Sequence, residues 1–109
     1  MIDRLGGDRE LTLQLVSLFL VEYPRMMTMI RESVASGSAD EIRQAAHAFK
    51  GSVGNFSDTT PTTTAAELER LGREGCVAGA ATVLAQLERD VNQFVGQLRQ
   101  FERESACAS

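Results

Sequence analysis

The sequence has little of several residue types, and each shortage excludes a class of protein. It contains no tryptophan, two prolines, two cysteines and one histidine among 109 residues. One histidine and two separated cysteines, Cys76 and Cys107, cannot supply the three or four convergent ligands that most metal sites need. Two cysteines are also too few for a disulfide framework. We therefore predict free thiols and no metal site.

Basic residues and long apolar runs are also scarce. The chain has 11 Lys and Arg against 15 Asp and Glu, a formal net charge of −4, whereas a nucleic-acid-binding surface needs a clustered basic excess. No window approaches the apolar length that spans a bilayer, and "MIDRLGGDRE" lacks the pattern of a secretory signal. We expect a cytoplasmic protein that contacts neither nucleic acid nor membrane directly.

What the sequence does contain is helical periodicity, with apolar residues at 43%, enough for one domain with a real core. Asp8 is a predicted N-cap, and Pro24 is expected to break or kink the chain. Ser38 and Glu41 form a capping box. Gly37, Gly72 and Gly75 are predicted helix ends. The predicted helices cover about 8–22, 25–36, 39–56, 60–75 and 77–102.

The last predicted helix has the clearest apolar face. Its apolar residues recur at spacings of three and four, which is typical of the core seam of an antiparallel bundle: Leu84, Leu87, Val91, Phe94, Leu98 and Phe101. Short connectors make successive helices antiparallel neighbours. We therefore predict an all-α fold, an antiparallel four-helix bundle with an additional N-terminal helix. The domain is expected to span 1–104, and 105–109 to form a disordered tail.

The only histidine lies in "AAHAFKGSVGNF", residues 45–56. On a helical wheel, His47 lies roughly 140° from Ile42, on the solvent side. The predicted buried stripe comprises Ile42, Ala46, Phe49, Val53 and Phe56. Gly51 and Gly54 lie on the outer half, although a glycine inside a helix costs roughly 1 kcal/mol relative to alanine. We infer that these glycines leave room for a molecule that approaches the imidazole.

Polar side chains surround the histidine on the same face. Arg43, Gln44 and Lys50 stand at i−4, i−3 and i+3 from His47, so they are its neighbours on the helix surface. A neutral imidazole is a nucleophile, and nearby cations stabilise an anionic group bound to it. This combination suits phosphoryl transfer, in which positioning and electrostatics supply most of the catalysis.

The stretch "AAHAFKGSVGN" resembles the signature of histidine phosphotransfer (HPt) domains: a histidine, an apolar residue, Lys-Gly-Ser, then small residues and asparagine. The matching positions are His47, Phe49, Lys50, Gly51, Ser52 and Asn55. The resemblance extends over most of the chain, through "LGGDRELTLQLVSLFLVEYPRMM" and "AAELERLGREG". This sequence departs from the pattern at Ser57, where the family usually has glycine, and in the polar stretch "DTTPTTT".

The resemblance implies that His47 accepts a phosphoryl group from a receiver-domain phospho-aspartate and passes it to another receiver domain. Lys50 would be the main charge partner of the phosphoryl oxygens and Gly51 the clearance residue, with Arg43 and Gln44 as weaker candidates at the rim. The domain would need no cofactor of its own, because Mg²⁺ belongs to the receiver.

The chain also has no phosphate-binding loop of the type G-x-x-x-x-G-K-[ST]. It would therefore be a phosphotransfer intermediate without an ATP site. We expect a monomer that binds response-regulator receiver domains. Either a free-standing protein or the end of a hybrid sensor kinase fits, and the start close to "LGGD" favours the kinase.

A docking surface for a receiver should be partly apolar, and the first predicted helix has a surplus of apolar residues. Its core stripe needs only Leu11, Leu15 and Leu18. Leu13 and Leu20 then fall on the far side, and we expect them, with Gly54, to contact the receiver. The alternative is that this helix is covered on two sides within the domain or in a dimer.

Three other interpretations compete with phosphotransfer. In a purely structural or dimerisation bundle, His47 is dispensable. An enzyme with His47 as general base needs an orienting carboxylate, and Asp40 and Glu41 are too far along the same helix. A metal- or haem-binding bundle would need a methionine ligand, but the methionines have core-like spacing on another helix. We favour phosphotransfer, with the structural bundle as the alternative.

Overall fold

A computed structural model describes residues 9–56 and 60–108, with side chains as far as Ser105. Its described residues form four α-helices and no strand: α1 (Arg9–Ser36), α2 (Ala39–Val53), α3 (Thr60–Glu74) and α4 (Ala80–Ala108). Short 3₁₀ turns at Gly54–Phe56 and Val77–Gly79 follow α2 and precede α4. The predicted all-α bundle is confirmed.

The contacts between α1 and α4 show that these helices run antiparallel. Arg31 pairs with Glu88 at 2.5 Å, whereas Ser17, earlier in α1, bonds Glu102, later in α4. Residues later in α1 thus contact residues earlier in α4, which is the pattern of two antiparallel helices. In sequence, α2 and α3 follow α1 and precede α4. The connectors between successive helices are short, as antiparallel neighbours require.

The predicted helix boundary at Pro24 is wrong. Pro24 lies inside α1, so the segments predicted as two helices form one. The proline is exposed, whereas Phe19 before it and Met27 after it are buried in the same core. Packing on both sides keeps α1 continuous although the proline provides no N–H. The predicted additional helix is therefore the N-terminal part of α1.

The predicted core stripe of this N-terminal part is wrong at two of its three leucines, whereas Leu15 packs against the core as a partly buried residue. Leu11 and Leu18 are 42% and 59% exposed, whereas Val16 and Phe19 are buried. The Phe19 ring contacts rings from α1, α2, the 3₁₀ turn and α4: Tyr23, Phe49, Phe56 and Phe94. Anchoring this large ring turns the two leucines outward.

The apolar stripes predicted for α2 and α4 are confirmed. All five residues of the α2 stripe are buried, and so are the four central residues of the α4 seam. The end members of that seam, Leu84 and Phe101, pack against the core as partly buried residues. Both helices therefore present one face to a common core and leave the other face to solvent.

The helix ends agree with the capping signals in part. The Glu41 N–H donates to Ser38 Oγ at 3.3 Å, so the predicted start of α2 is confirmed. Gly75 ends α3 with φ +74, and the Cys76 N–H donates to the Leu71 carbonyl, as in a Schellman motif. The predicted cap Asp8 lies outside the described residues.

The C-terminal end of α4 differs from the predicted disordered tail. The helix continues to Ala108, beyond residue 104. Ser105 is buried and accepts a hydrogen bond from Arg9 at 3.2 Å, and the Arg9 guanidinium lies 5.9 Å from the Phe101 ring centroid. These contacts with the start of α1 hold the last turns in place. Within the described residues, no helix has the length and apolar character to cross a membrane.

Candidate functional site

His47 lies on the outer face of α2, as the wheel predicts. The buried stripe faces the core, which leaves the His47 side chain 67% exposed. The cap at Ser38 sets where the helix begins, and the stripe sets how it is rotated. The imidazole is thus open to a partner while its backbone is fixed by packing.

A carboxylate from the neighbouring helix holds the imidazole. Glu69 on α3 places Oε2 2.8 Å from His47 Nδ1 and Oε1 2.6 Å from Lys50 Nζ. The Glu69 side chain is only 9% exposed, whereas Lys50 is 35% exposed. One buried carboxylate therefore joins the histidine and the lysine that lies one helical turn further along α2.

The charge state of Glu69 decides what it does to the ring. The hydrogen bond from Lys50 lowers the pKa of Glu69 below its ordinary value of 4.5, against the opposing effect of burial, and the bond with His47 lowers it further. Glu69 is therefore ionised at neutral pH. Because an ionised carboxylate only accepts hydrogen bonds, Nδ1 of the neutral ring carries the proton and Nε2 keeps its lone pair.

The two rim candidates point elsewhere. Arg43 contacts an oxygen of Asp40 at 3.0 Å, and Gln44 donates to the other oxygen at 2.7 Å. Both side chains are thus held one turn before His47. The structure brings together His47, Lys50 and Glu69, and leaves Arg43 and Gln44 outside this cluster.

The two glycines after His47 adjoin open space. A Cβ atom added at Gly51 or Gly54 would have no heavy atom within 4 Å. Gly51 is exposed in the last turns of α2, and Gly54 starts the 3₁₀ turn rather than continuing the α-helix. Nothing among the described residues requires glycine at these positions for packing, and their role in leaving room for a partner stays a prediction.

Gly72 is a packing glycine and not the helix end that the sequence predicts. It is buried within α3, where an added Cβ would lie 2.6 Å from the Arg43 nitrogen and 2.7 Å from the Ala39 carbonyl oxygen. The α2 and α3 backbones therefore approach closely here. This contact lies one turn after Glu69 and fixes the carboxylate relative to His47.

Sequence reasoning missed Glu69 because it sought an orienting carboxylate only on the helix that carries the histidine. A signal was present in α3. At about 100° per residue, Glu69 lies within roughly 60° of the apolar stripe formed by Ala65, Leu68 and Gly72. An acidic residue placed at the edge of a buried stripe needs a partner, and that partner is the cluster on α2.

A groove of about 390 Å³ lies between α1 and α2, along the side of α2 opposite to α3. Its apolar lining comes from Met26, Met29, Ala45 and Ala48, and its rim is polar: Arg25, Glu32, Ser33, Glu41 and Gln44. Ala48 follows His47 directly in sequence, so the groove adjoins the outer face of α2 on which the histidine lies.

The docking candidates of α1 are not where the sequence places them. Leu13 and Leu20 are both half-buried, and Leu20 packs against the core. They do not form a free far side. The large apolar residues exposed on this helix are Leu11, Leu18, Val21 and Met29.

Comparisons with known proteins agree with this geometry. A solved structure of histidine-containing phosphotransfer protein B (HptB) from Pseudomonas aeruginosa PAO1 is similar, with a TM-score of 0.81 and 23% sequence identity. The match covers 88% of this chain and 84% of that chain, which shows a shared fold. No curated protein matches significantly. The family model described as "Hpt domain" matches residues 14–100, most of the chain. This chain therefore belongs to the Hpt domain family, the histidine phosphotransfer modules of two-component phosphorelays.

Proposed function

We propose that His47 accepts a phosphoryl group on Nε2 from the phospho-aspartate of one receiver domain and passes it to the aspartate of another. The observation that supports this most directly is the 2.8 Å contact between His47 Nδ1 and Glu69. It leaves the Nε2 lone pair available on a side chain that is 67% exposed. A nucleophile with its other nitrogen fixed by a carboxylate is ready to attack without rearrangement.

The transfer balances between His47 and the receiver aspartate. The Nε2 lone pair forms a bond to phosphorus, the P–O bond to the receiver aspartate breaks, and its electron pair returns to the carboxylate. Mg²⁺ would be held by the receiver. Within the described residues, no group of three or more His, Cys, Asp or Glu side chains could hold a metal ion.

Lys50 is the cation we assign to the phosphoryl oxygens. It lies one turn after His47, and its flexible side chain is 35% exposed, so its ammonium can turn from Glu69 toward the new dianion. Arg43 and Gln44 would first have to leave Asp40. We therefore assign them only secondary roles at the rim.

The partner we propose is a receiver domain that covers the outer face of α2. The open space at Gly51 and Gly54 lets another backbone approach beside the imidazole. The adjoining groove between α1 and α2 offers apolar contact area, chiefly at Met29. This groove replaces Leu13 and Leu20 as the docking surface, because those leucines are half-buried.

We also propose that the domain works in the cytoplasm, where receiver domains act, as a free protein or as part of a sensor kinase. We expect it to be a monomer, so that the α2 face stays open. Light scattering after size-exclusion chromatography checks the mass. A stable dimer with His47 covered would contradict this arrangement.

The experiment that tests the proposed function is phosphotransfer from a panel of phosphorylated receiver domains with Mg²⁺. The wild-type protein should take up acid-labile, alkali-stable label, and His47→Gln should take up none. Uptake by both proteins would contradict His47 as the acceptor. Failure with every receiver, by a protein whose helicity is confirmed by circular dichroism, would support the structural bundle instead.

A second experiment separates docking from chemistry. Gly51→Leu should fold, because its side chain enters open space, and should react with the small donor phosphoramidate as the wild type does. Its transfer from a receiver should fall at least about tenfold, since the side chain blocks the approach. Gly96→Leu is the matched control, because Gly96 is an exposed glycine on α4 with open space around it. Equal rates of transfer from the receiver to Gly51→Leu and Gly96→Leu would contradict the proposal that the receiver docks on the outer face of α2.

A further inference from the structure

The bond between Glu69 and His47 has a consequence for the phosphorylated ring as well as for the free one. We infer that Glu69 holds the proton on Nδ1 of phosphohistidine, so that the imidazole leaves as a neutral group during onward transfer. Glu69 is then a positioning residue that favours passing the phosphoryl group on over storing it. This inference rests on the proposed function.

The geometry makes this bond persistent. Glu69 is 9% exposed, so water competes little for Oε2. The close α2–α3 contact at Gly72 lies one turn away and fixes the distance between the helices. The ring can therefore gain a group on Nε2, on its exposed side, while Nδ1 stays on the carboxylate.

The bond between Glu69 and the Nδ1 proton matters because that proton decides the charge of the imidazole when it leaves phosphorus. When Nε2 attacks phosphorus, the proton already on Nδ1 remains, and the product is a phosphoimidazolium. In onward transfer, a receiver carboxylate oxygen bonds to phosphorus, the P–N bond breaks, and its electron pair returns to Nε2. The ring then leaves as neutral imidazole with Nδ1–H. If Nδ1 had lost its proton, the leaving group would be an imidazolate anion, which is far less stable.

The Lys50 contact strengthens the arrangement. In the unphosphorylated domain, Glu69 is shared between Lys50 and His47. Once Lys50 turns to the phosphoryl oxygens, Nδ1–H is the one remaining partner that the structure shows for this buried carboxylate. Because an unpartnered buried charge is costly, phosphorylation tightens the hold of Glu69 on the Nδ1 proton.

Other charges near the ring do not perform this task. Among the described residues, only Glu69 lies within hydrogen-bond distance of the imidazole. On α2, Arg43 contacts Asp40 and Lys50 contacts Glu69. The other charged residues in this part of α3 are Glu67, Arg70, Arg73 and Glu74. Those along the groove between α1 and α2 are Arg25, Glu32 and Glu41.

The test uses protein labelled with ¹⁵N-histidine and phosphorylated on His47 with phosphoramidate. NMR then follows loss of the Nδ1 proton as the pH rises. The midpoint in the wild type should lie about one pH unit above that in Glu69→Gln, because an opposite charge in contact favours the protonated ring. Glu67→Gln is the matched control, since Glu67 is ion-paired with Arg70 at 2.6 Å; its midpoint should equal that of the wild type.

Onward transfer to a receiver supplies the kinetic arm. Above the Glu69→Gln midpoint, that variant should transfer up to about tenfold more slowly than the wild type, and the rates should converge at low pH, where both rings are protonated. The phosphorylated wild type unfolded in urea gives a reference that needs no variant. Its midpoint should lie below that of the folded protein.

Equal midpoints in wild type and Glu69→Gln, or in folded and unfolded wild type, would overturn the inference while leaving the proposed function intact. Equal transfer rates at high pH would also overturn it. Failure to load His47, or failure of the loaded protein to pass phosphate to any receiver, would instead contradict the proposed function.

Discussion

At the scale of single residues, the site depends on one carboxylate between two side chains of α2. Glu69 orients His47 through Nδ1 and holds Lys50. The place of His47, Lys50 and Gly51 on the outer half of α2 could be predicted, because helical periodicity fixes which residues share a face of one helix. Glu69 could not be paired with them in this way, since its place beside His47 depends on how α3 packs against α2.

Replacement of Glu69 should change the acid limb of the stability curve. Its pKa is lowered in the folded protein, so its contribution to stability is present above the ordinary value of 4.5 and is lost as the pH falls through the lower folded value. Below about pH 4.5, the free energy of unfolding should therefore fall more steeply for the wild type than for Glu69→Gln, as measured by urea denaturation at each pH.

The matched control is Glu32→Gln, which removes an exposed carboxylate on α1. It should keep the acid dependence of the wild type. If Glu69→Gln showed that dependence too, the ion pair with Lys50 would contribute nothing in solution.

At the scale of the helices, glycines of two kinds mark the site. Gly51 adjoins open space, whereas Gly72 lies against the α2 backbone. The sequence predicts that Gly72 and Gly75 both end the helix, because they lie close together in a glycine-rich segment. In the structure only Gly75 ends it. The close contact itself could not be predicted, since it depends on the distance between two helix axes.

Alanine substitutions distinguish these glycines with opposite signs. Gly72→Ala should lower the free energy of unfolding by about 1–3 kcal/mol, because backbone atoms of Arg43 and Ala39 occupy the place of the new methyl group. Gly51→Ala should raise it by about 0.5–1 kcal/mol, since alanine favours the helix and its methyl enters open space. Urea denaturation measures both, and a neutral Gly72→Ala would contradict the close approach.

At the scale of the whole molecule, the bundle is elongated, with extents of 48 × 20 × 17 Å. The stripes of α2 and α4 could be predicted because each has a single apolar face. The N-terminal part of α1 has apolar residues on more than one face, so periodicity alone could not decide its register. The cluster of rings around Phe19 decides it.

Two neighbouring substitutions test this register. Phe19→Ala should lower the free energy of unfolding by about 3–5 kcal/mol, because Phe19 is 3% exposed at the centre of that cluster. Leu18→Ala should change it by no more than about 0.5 kcal/mol, since Leu18 is 59% exposed. Thermal and urea unfolding followed by circular dichroism measure both. A larger loss for Leu18→Ala would restore the register predicted from sequence.

The measurement that tests the central claim most directly is the position of the phosphoryl group after transfer from a receiver. The chain has one histidine, so ¹⁵N-histidine labelling gives the spectrum of a single ring. We predict coupling between ³¹P and Nε2 of His47, with Nδ1 still protonated. Coupling to Nδ1, or phosphate on another residue, would contradict the account.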